Sequence, residues 1–287
     1  MLSTLGMRWS AQVRKPVNPK FFYTKEKAYA KMLIGESLLF ANIRKTVCSD
    51  SRDKTGEAER SFAERKETMI TFKDIRHNDT ISTYIRKADE SLKALGYTEH
   101  SFAHVGMVAA NARYILEKLG YSERTLELVQ IAAYLHDIGN LVNRVDHSQS
   151  GAVMAFRILD KLGMEAEEIA EIVTAIGNHD EGTGRPVSPM AAALILADKS
   201  DVRRSRVRNQ DESSFDIHDR VNYSVKEAEL KINEERTVIR LKLSVDTRYG
   251  SVMDYFEIFM GRMLLCRKAA EALGLQFKLM INEQQLI

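Results

Sequence analysis

From Asn78 onward the sequence repeats one device: a capping residue, apolar residues at every third or fourth position, and a stop. Asn78-Asp79-Thr80 can start a helix in which Ile81, Tyr84, Ile85, Ala88 and Leu92 share a face, with Gly96 as its stop. A second helix is expected from about His100 to Leu119, before Gly120. A third opens at Ser122, with Glu123 in its first turn, and runs to Gly139. Gln149 to Leu162, stopped by Gly163, and Glu165 to Ile176 make two more. Ser188-Pro189 places a cap before a proline at the first helical position and opens a sixth helix through "MAAALILADKSDVRR". Short polar loops join these segments. Helices so connected must bury their apolar stripes against one another, so the fold class is mainly α, a compact helical bundle.

Past about Asp219 the period changes. "AELKINEERTVIRLKLSVD" alternates apolar and polar residues around Asn233-Glu234-Glu235, which predicts a hairpin. "MDYFEIFMGRMLLCRKAAEAL" reads as an amphipathic helix and "QFKLMI" as a last short strand. The tail is therefore a small α/β (β-β-α-β) element.

The first 68 residues differ from both regions. They hold 14 Lys/Arg against 8 Asp/Glu, a net of +6, which leaves 28 against 32, a net of −4, for residues 69–287. From Cys48 to Thr68 there is neither helical nor alternating period. Three parts are expected: a poorly ordered basic leader over 1–68, a helical domain over 69–218 and a small α+β element over 219–287. The "AERKET" before Met69 can be encoded by a purine-rich, ribosome-binding-like stretch, so 1–68 reads as an over-extended translation of the gene. The structural alternative is a basic arm docking through Phe21, Phe22 and Tyr23, with a helix near 25–47 packed on the bundle.

Other classes are excluded more simply. No apolar run approaches the ~20 residues of a membrane span. Cys48 and Cys266 are far apart and form no ligand pattern, which excludes a disulfide framework and a cysteine zinc site and fits a reducing, cytoplasmic location. The net of −4 beyond residue 68 is no nucleic-acid coat. A homodimer could form by edge pairing of the C-terminal sheet.

Five of the seven histidines fall between residues 100 and 179: His100, His104, His136, His147 and His179. Each lies near the end of an expected helix, and helix ends in a bundle converge on one rim. In "AAYLHDIGN" an apolar helix ends with His136 beside Asp137, although a carboxylate in a last turn opposes the helix dipole. Asp198 ends the very apolar run "AAALILAD", and a buried carboxylate must be paired or bound to a metal. Imidazoles with carboxylates and no thiolate suit Mn, Fe, Ni or Zn at a site that is not a structural zinc site. A lone histidine or aspartate would be ordinary; the ensemble reads as a metal centre.

His104, then His136-Asp137, then Asp198 resemble the H…HD…D pattern of the HD-domain phosphohydrolase superfamily. "DHSQSGA" resembles the H-x-x-x-G-A stretch of the HD-GYP subgroup, which puts His147 on an additional metal histidine. "GNHDEGTGRP" resembles that subgroup's HHExxDGxGYP, with His179 and Glu181 in register and Asp180 in place of a second histidine. "ILADKSD" resembles its iaDxyDA. The likeness spans roughly residues 80–208, and from Met69 onward the chain is similar to stand-alone HD proteins of clostridial type. Departures are Asn140, where many relatives carry lysine after HDIG, a short loop from Asp137 to His147, and Gly184-Arg185-Pro186 in place of Gly-Tyr-Pro.

The resemblance implies hydrolysis of a phosphate ester by metal-activated water, with two divalent transition metals, Mn or Fe ahead of Ni or Zn. Asp137 would be the catalytic bridging ligand, with His104, His136 and Asp198 on one ion and His147 and His179 on the other. His100 either completes the second ion's shell or hydrogen-bonds beside it. Arg144, Arg185 and Lys199 flank these ligands and are expected to bind a small phosphorylated substrate. The departures rank a phosphomonoester or linear nucleotide above a cyclic dinucleotide. The alternatives are an HD-GYP-type cyclic-dinucleotide phosphodiesterase and a non-catalytic sensor of metal or nucleotide.

Overall fold

A computed structural model describes residues 69–286. The leader expected over 1–68 lies outside the described residues. Within them the architecture is mainly α, with a small C-terminal sheet. Helix α1 (Phe72–Arg76) is closed by a capping box between Thr71 and Asp74. Asn78 caps α2 (Asp79–Ala94) by accepting from the backbone of Thr80 and Ile81. Then come α3 (Phe102–Leu119), α4 (Glu123–Leu135), α5 (His147–Leu162), α6 (Ala166–Gly177) and α7 (Pro189–Lys199). Ser122 and Ser188 cap α4 and α7, and Gly120 and Gly163 end α3 and α5 in the left-handed conformation, as the sequence implies.

The centre of the bundle is α7. Each residue from Met190 to Lys199 is buried, because α3, α4 and α6 cover it on one side and the C-terminal helix α9 (Val252–Ala272) on another. A helix apolar all round can sit nowhere else. Its buried C-terminal end delivers Asp198 and Lys199 to the rim where the other helices finish.

Four helix boundaries depart from the sequence reading. Helix α3 begins at Phe102 with Ser101 as its cap, so His100 precedes the helix and does not share a helical face with His104. Helix α5 starts at His147, two residues early, after Asp146 turns in the left-handed region. Helix α7 stops at Lys199 and does not continue through Arg204, because the amide of Asp201 folds back on the carbonyl of Asp198. Most informative is α4, which ends at Leu135 and passes through His136 and Asp137 into a 3-10 turn, Ile138–Leu141. Asp137 is thus outside the α-helix, and its conflict with the dipole disappears.

Gly139 is not the helix stop that its position suggested, since its φ is not positive. A Cβ there would stand 2.0 Å from the carbonyl oxygen of His147 and 2.4 Å from the amide nitrogen of Gly151. The glycine lets the start of α5 press directly on the turn after His136-Asp137. That contact replaces a long connecting loop and draws His147 to the other metal-type residues.

The tail forms β1 (Val225–Ile232), β2 (Val238–Val245), α9, β3 (Gln276–Ile281) and the two-residue β4 (Gln284–Gln285), in sheet order β1-β2-β3-β4. The hairpin β1–β2 is antiparallel, with Leu230 opposite Leu241. Strand β3 returns through α9 to pair parallel with β2, bringing Phe277, Leu279 and Ile281 beside Ile239, Leu241 and Leu243. These six side chains are buried and share one hydrophobic core with α9 and the bundle. Three elements stand outside the sequence reading: α1, α8 (Ile217–Ser224) and β4. The helices are five and eight residues long and the strand only two, so none carries a readable period. Among the described residues, no helix is long and apolar enough to cross a membrane.

Candidate metal centre

Four imidazoles and two carboxylates converge where α3, α4, α5, α6 and α7 meet the cleft. His104 comes from the first turn of α3, His136 and Asp137 from the end of α4, His147 from the start of α5, His179 from just after α6, and Asp198 from the end of α7. All six are buried. Their donor atoms form three overlapping groups: His104 with His136 and Asp137, His136 with His179 and Asp198, and Asp137 with His147 and His179. Within each group the atoms lie within 4.8 Å of one another.

Every one of these histidines is anchored through Nδ1. That atom faces Asp201 Oδ2 at 2.8 Å in His104, the Ala133 carbonyl at 2.7 Å in His136, the Arg144 carbonyl at 3.0 Å in His147 and the Ile176 carbonyl at 2.6 Å in His179. Carbonyl and carboxylate oxygens can only accept, so Nδ1 carries a proton in each ring and Nε2 is the nitrogen turned inward. Among the described residues, His104 Nε2 and His136 Nε2 are buried with no hydrogen-bond partner. The Nε2 atoms of His147 and His179 are 3.2 Å apart, two lone pairs facing each other. Unpartnered buried nitrogens are costly, and a cation placed among them would satisfy them together.

Asp137 stands between the two sets. Its Oδ2 faces His136 Nε2 at 3.1 Å and His104 Nε2 at 3.5 Å, whereas its Oδ1 faces His147 Nε2 at 3.5 Å. Asp198 Oδ1 lies 3.4 Å from His104 Nε2 and 3.7 Å from His136 Nε2. The donor chemistry, nitrogen with carboxylate oxygen and no sulfur, fits a divalent transition metal.

Electrostatics follow the same division. Burial pushes His136 down, but Asp137 and Asp198 overcome it and raise its pKa to about 10. Burial would raise Asp137, yet the charges of His136 and His100 and the close approach of the His104 and His136 rings hold it well below the carboxylate range. Asp198 is likewise held well below, with Lys199 and the two histidines opposing burial. His179 falls to about 3, through burial first and then the charges of His136 and Lys199. His147 is lowered by burial and by Arg144. In the protein without metal, a proton on His136 answers the aspartates, while His147 and His179 stay neutral.

Several supporting residues escaped the sequence reading. Asp201, the second aspartate of "ADKSD", orients His104 and is itself held by Arg203 at 2.5 and 3.0 Å. Arg206, buried, donates to the carbonyls of Asp201 and Glu99 at 2.6 and 2.9 Å and fixes the turn after α7. Asn140 donates its amide to Asp137 Oδ1 and to the Asp137 carbonyl, both at 2.9 Å. The residue in the lysine position therefore sets the orientation of the Asp137 carboxylate. The readable signal for Asp201 is its place three residues after Asp198; Asn140 stands out in the sequence only as the departure from lysine, with no sign of its bonds to Asp137, and nothing marks Arg206 as buried.

A cleft of about 390 Å³ opens over this centre. Arg144 and Lys199, two of the three expected substrate contacts, line it, and so do His100 and Tyr97. The His100 ring lies 5.5 Å from that of His104, and its Nδ1 is 2.7 Å from the Thr98 carbonyl. Burial lowers its pKa well below the ordinary value. Arg185 is not among the lining residues; its guanidinium donates to the neighbouring Gly184 carbonyl at 3.2 Å. The far wall belongs to the tail, with His218 and Asn222 from α8 and Phe259 and Arg262 from α9.

Residues 101–203 match the family model described as HD domain. Over 192 residues, covering 59% of this chain and 74% of the relative, the chain is 27% identical to an uncharacterized protein of Methanocaldococcus jannaschii. Among solved structures it is similar to a predicted HD superfamily hydrolase from an uncultured Thermotogales bacterium. That chain is 28% identical, with a TM-score of 0.36 over 44% of this chain and 69% of the other.

Proposed function

From the premise that this chain belongs to the HD-domain superfamily, we propose that it is a metal-dependent phosphohydrolase cleaving a phosphomonoester or linear nucleotide. The observation that carries this reading is the set of inward-facing Nε2 atoms of His104, His136, His147 and His179 around Asp137, two of them buried without a partner. On this reading His104, His136 and Asp198 hold one divalent ion, His147 and His179 a second, and Asp137 both. Bound there, such ions lower the pKa of water and offset charge on phosphoryl oxygens.

The chain's own residues do the rest. The Nδ1 acceptors lock each ring, Asn140 fixes Asp137, and Lys199 and Arg144 offer positive charge to phosphoryl oxygens at the cleft. A volume of about 390 Å³ is near the low end of ligand pockets, which favours a single nucleotide or smaller ester over a cyclic dinucleotide.

The test is metal analysis of anaerobically purified protein, followed by a turnover screen on phosphomonoesters, linear nucleotides and cyclic dinucleotides. Two bound ions with fastest turnover of a monoester or linear nucleotide are expected. Faster turnover of a cyclic dinucleotide would replace the substrate assignment, and nucleotide binding with no turnover would make the protein a sensor.

A further inference from the structure

Across the cleft, two cations from different helices meet at one oxygen. Lys199 Nζ, at the end of α7, is 3.9 Å from Glu181 Oε1, and Arg262 Nε, midway along α9, is 2.8 Å from the same atom. All three residues line the cleft. Their exposures run in an informative order: the side chains of Lys199 and Arg262 are 7% and 21% exposed, that of Glu181 33%. The cations are built into packed helices, Lys199 against Asp198 at 2.5 Å and Arg262 over the ring of buried Phe259 at 4.4 Å. The carboxylate comes from the exposed connection between α6 and α7.

The rigid partners thus define a seat for an anion, and an intramolecular carboxylate sits in it. We propose that Lys199 and Arg262 form the anion subsite of the substrate, and that Glu181 is its resident occupant, displaced when a phosphoryl group enters. The inference rests on the phosphohydrolase reading for the identity of the anion. A phosphate dianion attracts two cations more strongly than one carboxylate does, and the Arg262 fork can hold two of its oxygens. Release is inexpensive for Glu181, whose side chain already reaches solvent. The subsite adjoins the metal centre through Asp198, so an anion held there is next to the proposed ligands. It also gives the tail a role in binding, since Arg262 lies outside the family match at 101–203.

The test is calorimetric titration of inorganic phosphate into manganese-loaded protein, with metal content measured in parallel. Arg262→Met is expected to weaken phosphate binding about tenfold, and Arg262→Lys by less, because it keeps the charge but loses the fork. Glu181→Gln is expected to tighten binding about threefold to tenfold, since it removes the competing carboxylate. If Glu181 and Arg262 were only a tie between loop and helix, Glu181→Gln would lower the melting temperature without tightening phosphate binding. No tightening in Glu181→Gln, or unchanged affinity in a folded Arg262→Met, overturns the proposal. Should Arg262→Met fail to fold, Glu181→Gln and Arg262→Lys still decide it. Phosphate-ester turnover that is insensitive to these variants would remove the subsite and leave the enzyme assignment standing. Variant-dependent phosphate binding without turnover of any ester would do the reverse.

Discussion

One wall of the cleft is made from the ends of five helices and presents six buried ligand-type side chains; the other is made from the sides of α8 and α9 and presents partly exposed polar groups. On the first wall each histidine is fixed at Nδ1 by an acceptor within 3.0 Å, so a small movement of any helix would strand a buried polar atom. On the second, His218 is exposed and Arg262 is held by an ion pair to a loop. The contrast separates two tasks. Holding a multivalent cation requires preorganised, desolvated ligands. Admitting a substrate requires a face that can trade one polar partner for another.

The sharpest way to break this division is at Asp137. Asp137→Ala removes the carboxylate that faces His104 and His136 with one oxygen and His147 with the other, and His136→Ala removes a buried Nε2 from two of the three donor groups. Each is expected to abolish metal retention and hydrolysis while helical circular dichroism persists. Full activity in metal-depleted Asp137→Ala protein would sink the mechanism.

Next in size is Asp201→Asn, which exchanges the acceptor on His104 Nδ1 for an amide that can turn a donor toward it. Loss of such an outer partner costs about 10–100-fold in metal affinity. Competition with a fluorescent chelator would measure this, and affinity within twofold of the native protein would show that His104 needs no orienting partner.

Gly139→Ala probes the same wall through packing. Its Cβ would meet the His147 carbonyl oxygen at 2.0 Å, so the start of α5 must move. Backbone displacement of this kind costs about 1–3 kcal/mol, a fall of roughly 2–12 °C in melting temperature for a domain of this size. Metal affinity should fall with it, because His147 rides on that backbone. An unchanged melting temperature would mean that the contact is looser than described.

The two walls also differed in what could be read from the sequence. Histidines at helix ends and a carboxylate closing "AAALILAD" are legible because burying them without partners is prohibitive, so their mere positions announce a shared site. Their resemblance to the H…HD…D pattern sharpened the same reading. Arg262 gave no such signal, since an arginine on an amphipathic helix is ordinary until α9 is docked on α7. Arg185 stands beside the ligands in sequence, yet its guanidinium donates to the Gly184 carbonyl and does not line the cleft. Gly139 reads in sequence as a helix stop, because close approach of another backbone segment leaves no trace in local sequence.

Protonation offers a gentler perturbation of the ligand wall. In metal-free protein the pKa of His136 is raised from 6.5 to about 10. A raised histidine contributes stability that is fully present below pH 6.5 and lost as pH climbs toward 10. Asp137 and Asp198, held below their ordinary 3.8, contribute stability that is present above that value and lost as pH falls beneath it. Metal-free protein should therefore lose stability steadily from neutral pH upward. Metal must displace the His136 proton, so binding at pH 7.5 should release about one proton. Calorimetry in two buffers of different ionisation enthalpy measures the number, and zero release would contradict a protonated His136.

The smallest effect is expected on the opposite wall, at His218. It lines the cleft from α8 but makes no side-chain hydrogen bond to the metal-type residues, and its ring is exposed. Among the described residues its side chain makes no hydrogen bond, whereas its backbone carbonyl accepts from the Asn222 side-chain amide at 2.8 Å, and substitution leaves that carbonyl in place. An exposed side chain without buried partners typically changes stability by less than about 0.5 kcal/mol, so His218→Gln should keep its melting temperature within roughly 2 °C. Metal affinity should stay within about twofold, since none of the four Nδ1 anchors is touched. A tenfold fall in metal affinity would place His218 among the ligands and erase the boundary between a wall that holds the cation and a wall that meets the substrate.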